Sequence, residues 1–374
     1  MKGFASSEVV LVSAGIDNTI CTWSLPSLAR QRSFACAKQQ PGAVLGPIGC
    51  LDLSHDGRYI AAGVSSQAKL FDRNAPPGNV DPVHVFREGT HTGPINTIGH
   101  LRSTRITLFT ASDDCSAAIW DMSQRKPAIK TTLPTMIYHG VPISRDRISR
   151  AIIFGCEDGI YHWSLDTETV IKGPSLKALP CTFNDLPPLR PPSCTKLAVC
   201  SRTNVVASGL SDGRVALYKT SNISTDLPTQ WSQPFYISTP CSFIVTVNLS
   251  PFPRTPYTEN SCLLTVGGTN GILSSYKVVC NETEEVDGSV DSVFTIEPLF
   301  EHRPAASFDP ILDSVMSSDG EHLFTATMDG KVNWFRFVND FGTVDPFLYH
   351  DKTRHSEVDT KPVCCLALRE VVGS

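Results

Sequence analysis

Four side chains in this 374-residue sequence stand in an order that could do chemistry: His91, Ser112, Asp114 and Trp120. Ser, His and Asp together are the set in which a base activates a hydroxyl nucleophile and an acid orients the base. Such a set also needs an oxyanion hole and a pocket, and no G-x-S-x-G elbow stands near Ser112. The structural reading, a hydrogen-bonded clamp, is favoured because each residue falls at a position set by an internal repeat. Gly267-Gly268-Thr269-Asn270-Gly271 is rich in glycine, but no helix follows to cradle a phosphate, so it reads as a hairpin turn. His350 and His355 have no third ligand in view. No H-E-x-x-H and no C-x-x-C occurs, and the 13 cysteines are scattered, many of them inside apolar runs such as those of Cys36, Cys50, Cys200 and Cys262. They read as small buried hydrophobes, and no cofactor or metal is expected.

The elements that would hold these residues repeat along the chain. Trp23, Phe71, Trp120, Trp163, Tyr218, Tyr276 and Phe335 each close a short apolar strand, at spacings of 48, 49, 43, 55, 58 and 59 residues. Self-similarity at this period is the mark of a β-propeller with one repeat per blade. Each repeat reads as inner strands a, b and c followed by an outer strand d. Blade 3 shows it best: strand a starts at Ile95-Asn96-Thr97-Ile98, strand b covers Ile106 to Ala111, strand c Ala117 to Asp121 and strand d Ala128 to Thr131. The b–c turns Asp158-Gly159, Asp212-Gly213, Asn270-Gly271 and Asp329-Gly330 supply residues that tolerate positive φ. Asp17-Asn18, Ser65-Ser66-Gln67 and Asp114-Cys115 stand at the same place in blades 1, 2 and 3.

The first repeat starts late, since Val9 to Gly15 already reads as strand b. Pro362 to Leu368 has the pattern of a strand a with no b or c behind it, so it is expected to complete blade 1 and close the ring. The expectation is an all-β, seven-bladed WD-repeat propeller spanning residues 1–374 as a single domain. The proline-rich stretch 176–194 is placed in the loop between blades 4 and 5; its Pro188-Leu189-Arg190-Pro191 reads as a stiff surface loop or an SH3-type ligand. The acidic stretch 279–298 is placed as a solvated insertion between strands c and d of blade 6.

Composition narrows the function. Net charge is −5 with 18% charged residues and no Lys/Arg block, which speaks against nucleic acid. No apolar run approaches the about 18 residues that span a membrane. The short apolar stretch after Glu8 is no signal-peptide core, so a cytoplasmic setting is expected, and the sequons at Asn222, Asn248 and Asn281 read as chance matches. The second residue of each strand a lies near one mouth of a propeller's channel. By this register the candidates for a partner-binding face are Gly49, Asn96, His139, Thr195, Val245, Leu312 and Cys364. None carries a formal charge, which suits a protein partner.

Several stretches are more specific. Ser13-Ala14-Gly15-Ile16-Asp17-Asn18-Thr19-Ile20 leads to Trp23 with no strand a before it. Ile60-Ala61-Ala62-Gly63 leads to Lys69-Leu70-Phe71-Asp72, and Ser112 to Met122 contains Trp120-Asp121. The chain ends on Val363-Cys364-Cys365-Leu366-Ala367-Leu368. Over residues 9–122 and 361–374 this resembles the lethal-with-Sec-thirteen family, the G-protein-β-like WD-repeat subunits of target-of-rapamycin (TOR) kinase complexes, as a divergent member. The family's paired tryptophans entering the last blade are replaced by Pro310-Ile311-Leu312, and its Gln-Val-Asn at blade 2 by Pro47-Ile48-Gly49. The resemblance implies a non-catalytic ring that docks on the kinase domain of a TOR-type, PI3K-related kinase, together with associated complex subunits, and stabilises it. Through such a complex it would also lie peripherally on endomembranes. The alternative is another WD-repeat adaptor, a G-β-like scaffold or a ubiquitin-ligase substrate receptor, although receptors of that kind usually carry extra helical segments or tails.

Overall fold

A computed structural model describes residues 8–25, 29–36, 46–76, 80–86, 91–102, 107–121, 127–145, 148–177, 191–220, 231–253, 260–281, 293–303, 309–337, 347–354 and 362–371. These form seven four-stranded antiparallel sheets and, among the described residues, no helix. The seven strands a are Val363–Val371, Ile48–Leu53, Ile95–Leu101, Ile137–Arg145, Cys194–Cys200, Ile244–Pro251 and Ile311–Met316, for blades 1 to 7. Each touches strand a of the blades on either side, and the last touches the first, so the ring is closed around a central channel.

Closure comes about as the sequence predicts. Val363–Val371 pairs antiparallel with Glu8–Gly15 from Glu8↔Val371 to Gly15↔Val363, and Thr19–Ser24 and Ala29–Ala35 complete blade 1. The approach is tight. A Cβ on Gly15 would lie 2.5 Å from the Pro362 carbonyl oxygen, so only glycine fits. Asp313 of blade 7 braces the join: its Oδ2 accepts the Leu366 N–H at 2.9 Å and its Oδ1 meets Lys196 Nζ of blade 5 at 3.0 Å.

The hydrophobic core lies between blades rather than within them. Leu11, Trp23, Val363 and Leu366 of blade 1 pack on Phe324, Ala326 and Trp334 of blade 7. The other face of blade 1 packs Val10, Val12 and Cys365 on Ile48, Ile60 and Phe71 of blade 2. All seven repeat aromatics are buried, at 0–8% exposure. Strand b carries a small residue where the next blade leans in. A Cβ on Gly63 would lie 3.2 Å from Ile95 Cγ2, and one on Gly155 or Gly209 2.5 Å from Cys194 Sγ or Ile244 Cγ2. The b–c turns take the left-handed conformation at the positions read from sequence: Asn18 (φ 59°), Ser65 (52°) and Cys115 (65°), with glycine in the other four blades.

Two expectations need trimming. The blade-6 insertion is shorter than 279–298, because strand c runs through Asn281 and strand d starts at Val293. Cys280 opposes Phe294, and both are buried, which holds the strands together beyond the turn. The acidic residues Glu282, Glu284, Glu285, Asp287 and Asp291 lie outside the described residues. The ends of the proline-rich segment are core, since Leu176 and Cys194 pack with Tyr218, and Pro188-Leu189-Arg190 lies outside the described residues. Asn248 is no glycosylation site, since its Nδ2 donates to Ser314 Oγ at 2.6 Å inside the channel wall.

Deleting residues 361–374 removes the strand that pairs with Glu8–Gly15 and strips two inter-blade core clusters. A domain's net stability is only about 5–15 kcal/mol, so the truncated chain is expected to lose its cooperative thermal transition. Melting like the full-length protein would mean that the ring closes elsewhere.

Candidate functional site

The blade-3 set assembles as a clamp with no access to a substrate. His91 is 4% exposed and both ring nitrogens are engaged. Trp120 Nε1 donates to Thr110 Oγ1 at 2.9 Å, and Thr110 Oγ1 lies 2.8 Å from His91 Nε2. On the other side His91 Nδ1 meets Ser116 Oγ at 2.8 Å and Asp114 Oδ1 at 3.3 Å. A single proton order satisfies the chain: the Thr110 hydroxyl donates to Nε2, and Nδ1–H donates to Ser116, whose hydroxyl donates to Asp114 at 2.6 Å. Burial pushes the His91 pKa down, against the pull of Asp114, which keeps the ring neutral. Burial works to raise the Asp114 pKa, but hydrogen bonds from Ser116 Oγ and the Thr92 and Ser116 N–H groups hold its carboxyl well below the usual range.

Ser112 is the correction here. Its Oγ accepts the Asp114 N–H at 3.2 Å and caps the turn, while Thr110, two residues earlier on the same face of the strand, takes the place between His91 and Trp120. Blade 1 repeats half of the motif, with Trp23 Nε1 donating to Ser13 Oγ at 2.7 Å. Blade 4 has Phe154 at that position, and Trp163 Nε1 has no partner among the described residues.

Strand a bulges at its second residue in all seven blades. The ladder passes from Ile48 to Cys50, Ile95 to Thr97, Cys194 to Lys196, Ile244 to Thr246, Ile311 to Asp313 and, in blade 1, from Val363 to Cys365. The skipped residues are Gly49, Asn96, Thr195, Val245, Leu312 and Cys364. In blade 4 the skipped residue is Tyr138, not His139. The buried Ile137 occupies the place of Ile95, which moves the register by one.

Several of these side chains latch one blade to the next. Asn96 Nδ2 donates to Asp113 Oδ1 at 2.6 Å and to the Ile137 carbonyl of blade 4 at 2.8 Å. Thr195 Oγ1 lies 2.6 Å from the Ile244 carbonyl of blade 6. His139, its pKa pushed well down by burial and by Lys196, accepts the Leu197 N–H of blade 5 at 3.3 Å. Gly49 is exposed, and Val245, Leu312 and Cys364 are half-buried. Gly49, Asn96, His139, Leu312 and Cys364 line the channel, a cavity of about 760 Å³.

What sequence reasoning missed on this face is a set of apolar side chains around the mouth. In blades 1, 4, 6 and 7 the residue before strand a bonds the b–c turn of the same blade: Ile16 N–H to the Pro362 carbonyl, Glu157 N–H to that of Met136, Thr269 N–H to that of Phe243 and Met328 N–H to that of Pro310. These bonds fix four backbones whose side chains point outward. Ile16, Met136, Phe243 and Met328 are 44, 42, 40 and 49% exposed. Ile16, Met328 and Phe243 belong to the consecutive blades 1, 7 and 6. The signal was in the sequence as large apolar residues directly beside turn residues, where solvent-facing loops are expected to be polar.

Among the described residues, no group of His, Cys, Asp and Glu side chains has the arrangement to hold a metal ion. Every described cysteine is a free thiol, and burial pushes those of Cys36, Cys50 and Cys194 up to about 12.

Two expected outcomes follow from the clamp. Thr110→Val leaves the Trp120 N–H and His91 Nε2 unpaired in the core and is expected to cost about 1–3 kcal/mol by denaturant melting. The Asp114 contribution is present above the unfolded carboxyl pKa of about 4 and is lost as pH falls through its lower folded value. The stability gap between wild type and Asp114→Asn is therefore expected to be largest near pH 7 and to shrink towards pH 2. A gap independent of pH would contradict the assignment.

No model of a known protein family matches the chain. It is similar to the protein LST8 homolog of Dictyostelium discoideum, 30% identical over 135 residues, which are 35% of this chain and 40% of that protein. It is also similar to the target of rapamycin complex subunit LST8 of Saccharomyces cerevisiae, 27% identical over 137 residues (37% of this chain, 39% of that protein). Striatin-3 of Bos taurus matches at 26% over 180 residues, 45% of this chain and 21% of that protein. The matched stretch thus spans about two fifths of the LST8 relatives and about a fifth of striatin-3. Among solved structures, the Cps50 (Swd1) propeller domain of Myceliophteria thermophila superposes with a TM-score of 0.58 at 14% identity, over 83% of this chain and 88% of that one. The RRP9 WD40 repeats superpose with a TM-score of 0.55 at 16% identity, over 95% and 91%. With seven four-stranded blades, an N-terminal strand b and these neighbours, the fold is that of a seven-bladed WD-repeat propeller.

Proposed function

We propose that this chain, acting as one propeller, is a non-catalytic scaffold subunit of a TOR-type kinase complex in the cytoplasm. In this reading the face that carries the b–c turns docks on the kinase domain of a PI3K-related kinase and holds it in its folded form. The observation that carries the docking is the outward apolar set of Ile16, Phe243 and Met328 around the channel mouth. Apolar anchors near the centre of a face, ringed by polar turns, are the usual bearers of binding energy. The candidates Gly49, Asn96, Thr195, Val245, Leu312 and Cys364 sit on the bulges just inside that mouth and His139 one residue further in. Asn96 and Thr195 act by shaping the rim, since their polar atoms are committed to the next blade. The choice of a TOR kinase rests on the similarity to the two LST8 proteins. Binding energy at this face would stabilise the kinase by mass action on its folded form.

The match to striatin-3 favours a second reading, a WD-repeat adaptor that serves another complex. Affinity purification of the full chain from its native cells, read by mass spectrometry, separates the two. A very large PI3K-related kinase is expected in stoichiometric amount. The doubly substituted Phe243→Asp, Met328→Asp protein should melt within a few degrees of wild type and recover at least tenfold less kinase. Recovery of a cullin adaptor without any kinase, or undiminished kinase on the variant, would rule the reading out.

A further inference from the structure

Two cysteines meet between blades 5 and 6. Cys200 ends strand a of blade 5, and Cys262 is the second residue of Ser261–Gly268, strand b of blade 6. Both belong to the apolar layer that these blades share, and their thiols are hydrogen-bonded to each other there. Thr203, buried in the turn that follows Cys200, brings its hydroxyl to both sulfurs: it bonds Cys200 and lies 2.8 Å from Cys262 Sγ. The same turn folds the Arg202 and Thr203 backbone N–H groups onto Cys200 Sγ. One sulfur thus collects four donors: a thiol, a hydroxyl and two backbone N–H groups.

Donors converging on a sulfur favour its thiolate, the nucleophilic form. The bond from Cys262 holds the Cys200 thiol below the usual thiol range; burial opposes this, and the Thr203 hydroxyl and the two N–H groups reinforce it. The same bond, together with burial, pushes the Cys262 thiol up, so Cys262 keeps its proton. A thiolate beside a protonated thiol is the division of labour between an attacking and a resolving cysteine. Cys200 is 3% exposed, and with Ser201 and Arg202 it lines the channel wall, which gives a molecule the size of a peroxide a route to it.

We propose that Cys200 and Cys262 form an oxidation site for hydrogen peroxide, with Cys200 as the attacking and Cys262 as the resolving thiol. The Cys200 thiolate attacks one peroxide oxygen, the O–O bond breaks, and Cys200 becomes a sulfenic acid as hydroxide leaves. That hydroxide takes the Cys262 proton and becomes water. The Cys262 thiolate then attacks the Cys200 sulfur, the S–O bond breaks and a second hydroxide leaves. The two cysteines lose two electrons, the peroxide gains them, and the disulfide ties blade 5 to blade 6. The site is independent of the docking on a kinase proposed above.

The reduced full chain is treated with hydrogen peroxide while folded, its remaining thiols are then alkylated in denaturant, and the digest is mapped by mass spectrometry. The expected product is a peptide pair linked through Cys200 and Cys262 and released by reductant. Cys36, Cys50 and Cys194, whose thiols burial pushes up to about 12, should stay alkylatable. Cys262→Ser should stop at a Cys200 sulfenic acid that dimedone traps, and Cys200→Ser should leave Cys262 reduced. Cys280→Ser, which removes a third buried thiol of the same layer, should still form the link. Should the serine variants melt early, the map of the wild-type chain decides alone. Cys200 and Cys262 both remaining alkylatable, or Cys262 linked to Cys280 instead, would overturn the proposal. So would a Cys200–Cys262 link that forms only after the chain is unfolded.

Discussion

The antiparallel pairing of Val363–Val371 with Glu8–Gly15 is the interaction on which the rest of the protein depends. A blade buries its apolar faces only on its two neighbours, so no blade is stable alone and an open array would expose an edge at each end. Blade 1 is built from both ends of the chain. Its closing strand satisfies one sheet edge, fills the core clusters shared with blades 7 and 2, and hands the Leu366 N–H to Asp313. Asp313 in turn pairs with Lys196 across blade 6, so the join is braced from two further blades. Removing the carboxylate would leave a cation and an N–H without their partner in the channel wall, and that asymmetry makes such braces specific.

Closing the ring also gives its two faces different chemistry. At the first mouth every strand a bulges at its second residue. Bulges bend a strand and re-aim a side chain. In blades 3 and 5 the re-aimed Asn96 and Thr195 reach the carbonyl of the next blade's first strand-a residue, so the rim is stitched blade to blade. The turns beyond it carry outward apolar side chains on backbones that are already fixed. A surface held this way loses little conformational entropy on binding, which favours a protein partner. At the second mouth strands a lead into arginine and histidine side chains.

Much of this was legible in the sequence, because repeats state the same fact several times. The period of the aromatics from Trp23 to Phe335 set the blade count, and the turn dipeptides placed the positive φ of six b–c turns, while that of Ser65 in blade 2 stands in a turn without glycine or asparagine. The closing strand was found from a missing strand before Val9. Other features were hidden for physical reasons. A bulge breaks the two-residue alternation that strand reading relies on. Tyr138 was therefore taken for a residue outside the ring of bulges and His139 for one inside it, although anchoring on the first buried residue, Ile137 beside Ile95 and Ile48, restores the register. The clamp was read with Ser112 in place of Thr110, because both hydroxyls point from the same face of one strand and only the reach of the Trp120 indole separates them. The apolar set at the mouth joins residues far apart in sequence, so each large apolar residue beside a turn is legible locally but their gathering on one face is not.

The account assigns the protein partner to one face of the ring and not the other. The most direct measurement is site-specific photocrosslinking in native cells, with a photoreactive residue placed either at Phe243 on the turn face or at Ser318 on the opposite mouth. The expected result is a covalent adduct with a PI3K-related kinase from position 243 and none from position 318. Adducts with that kinase from position 318 alone would contradict the account.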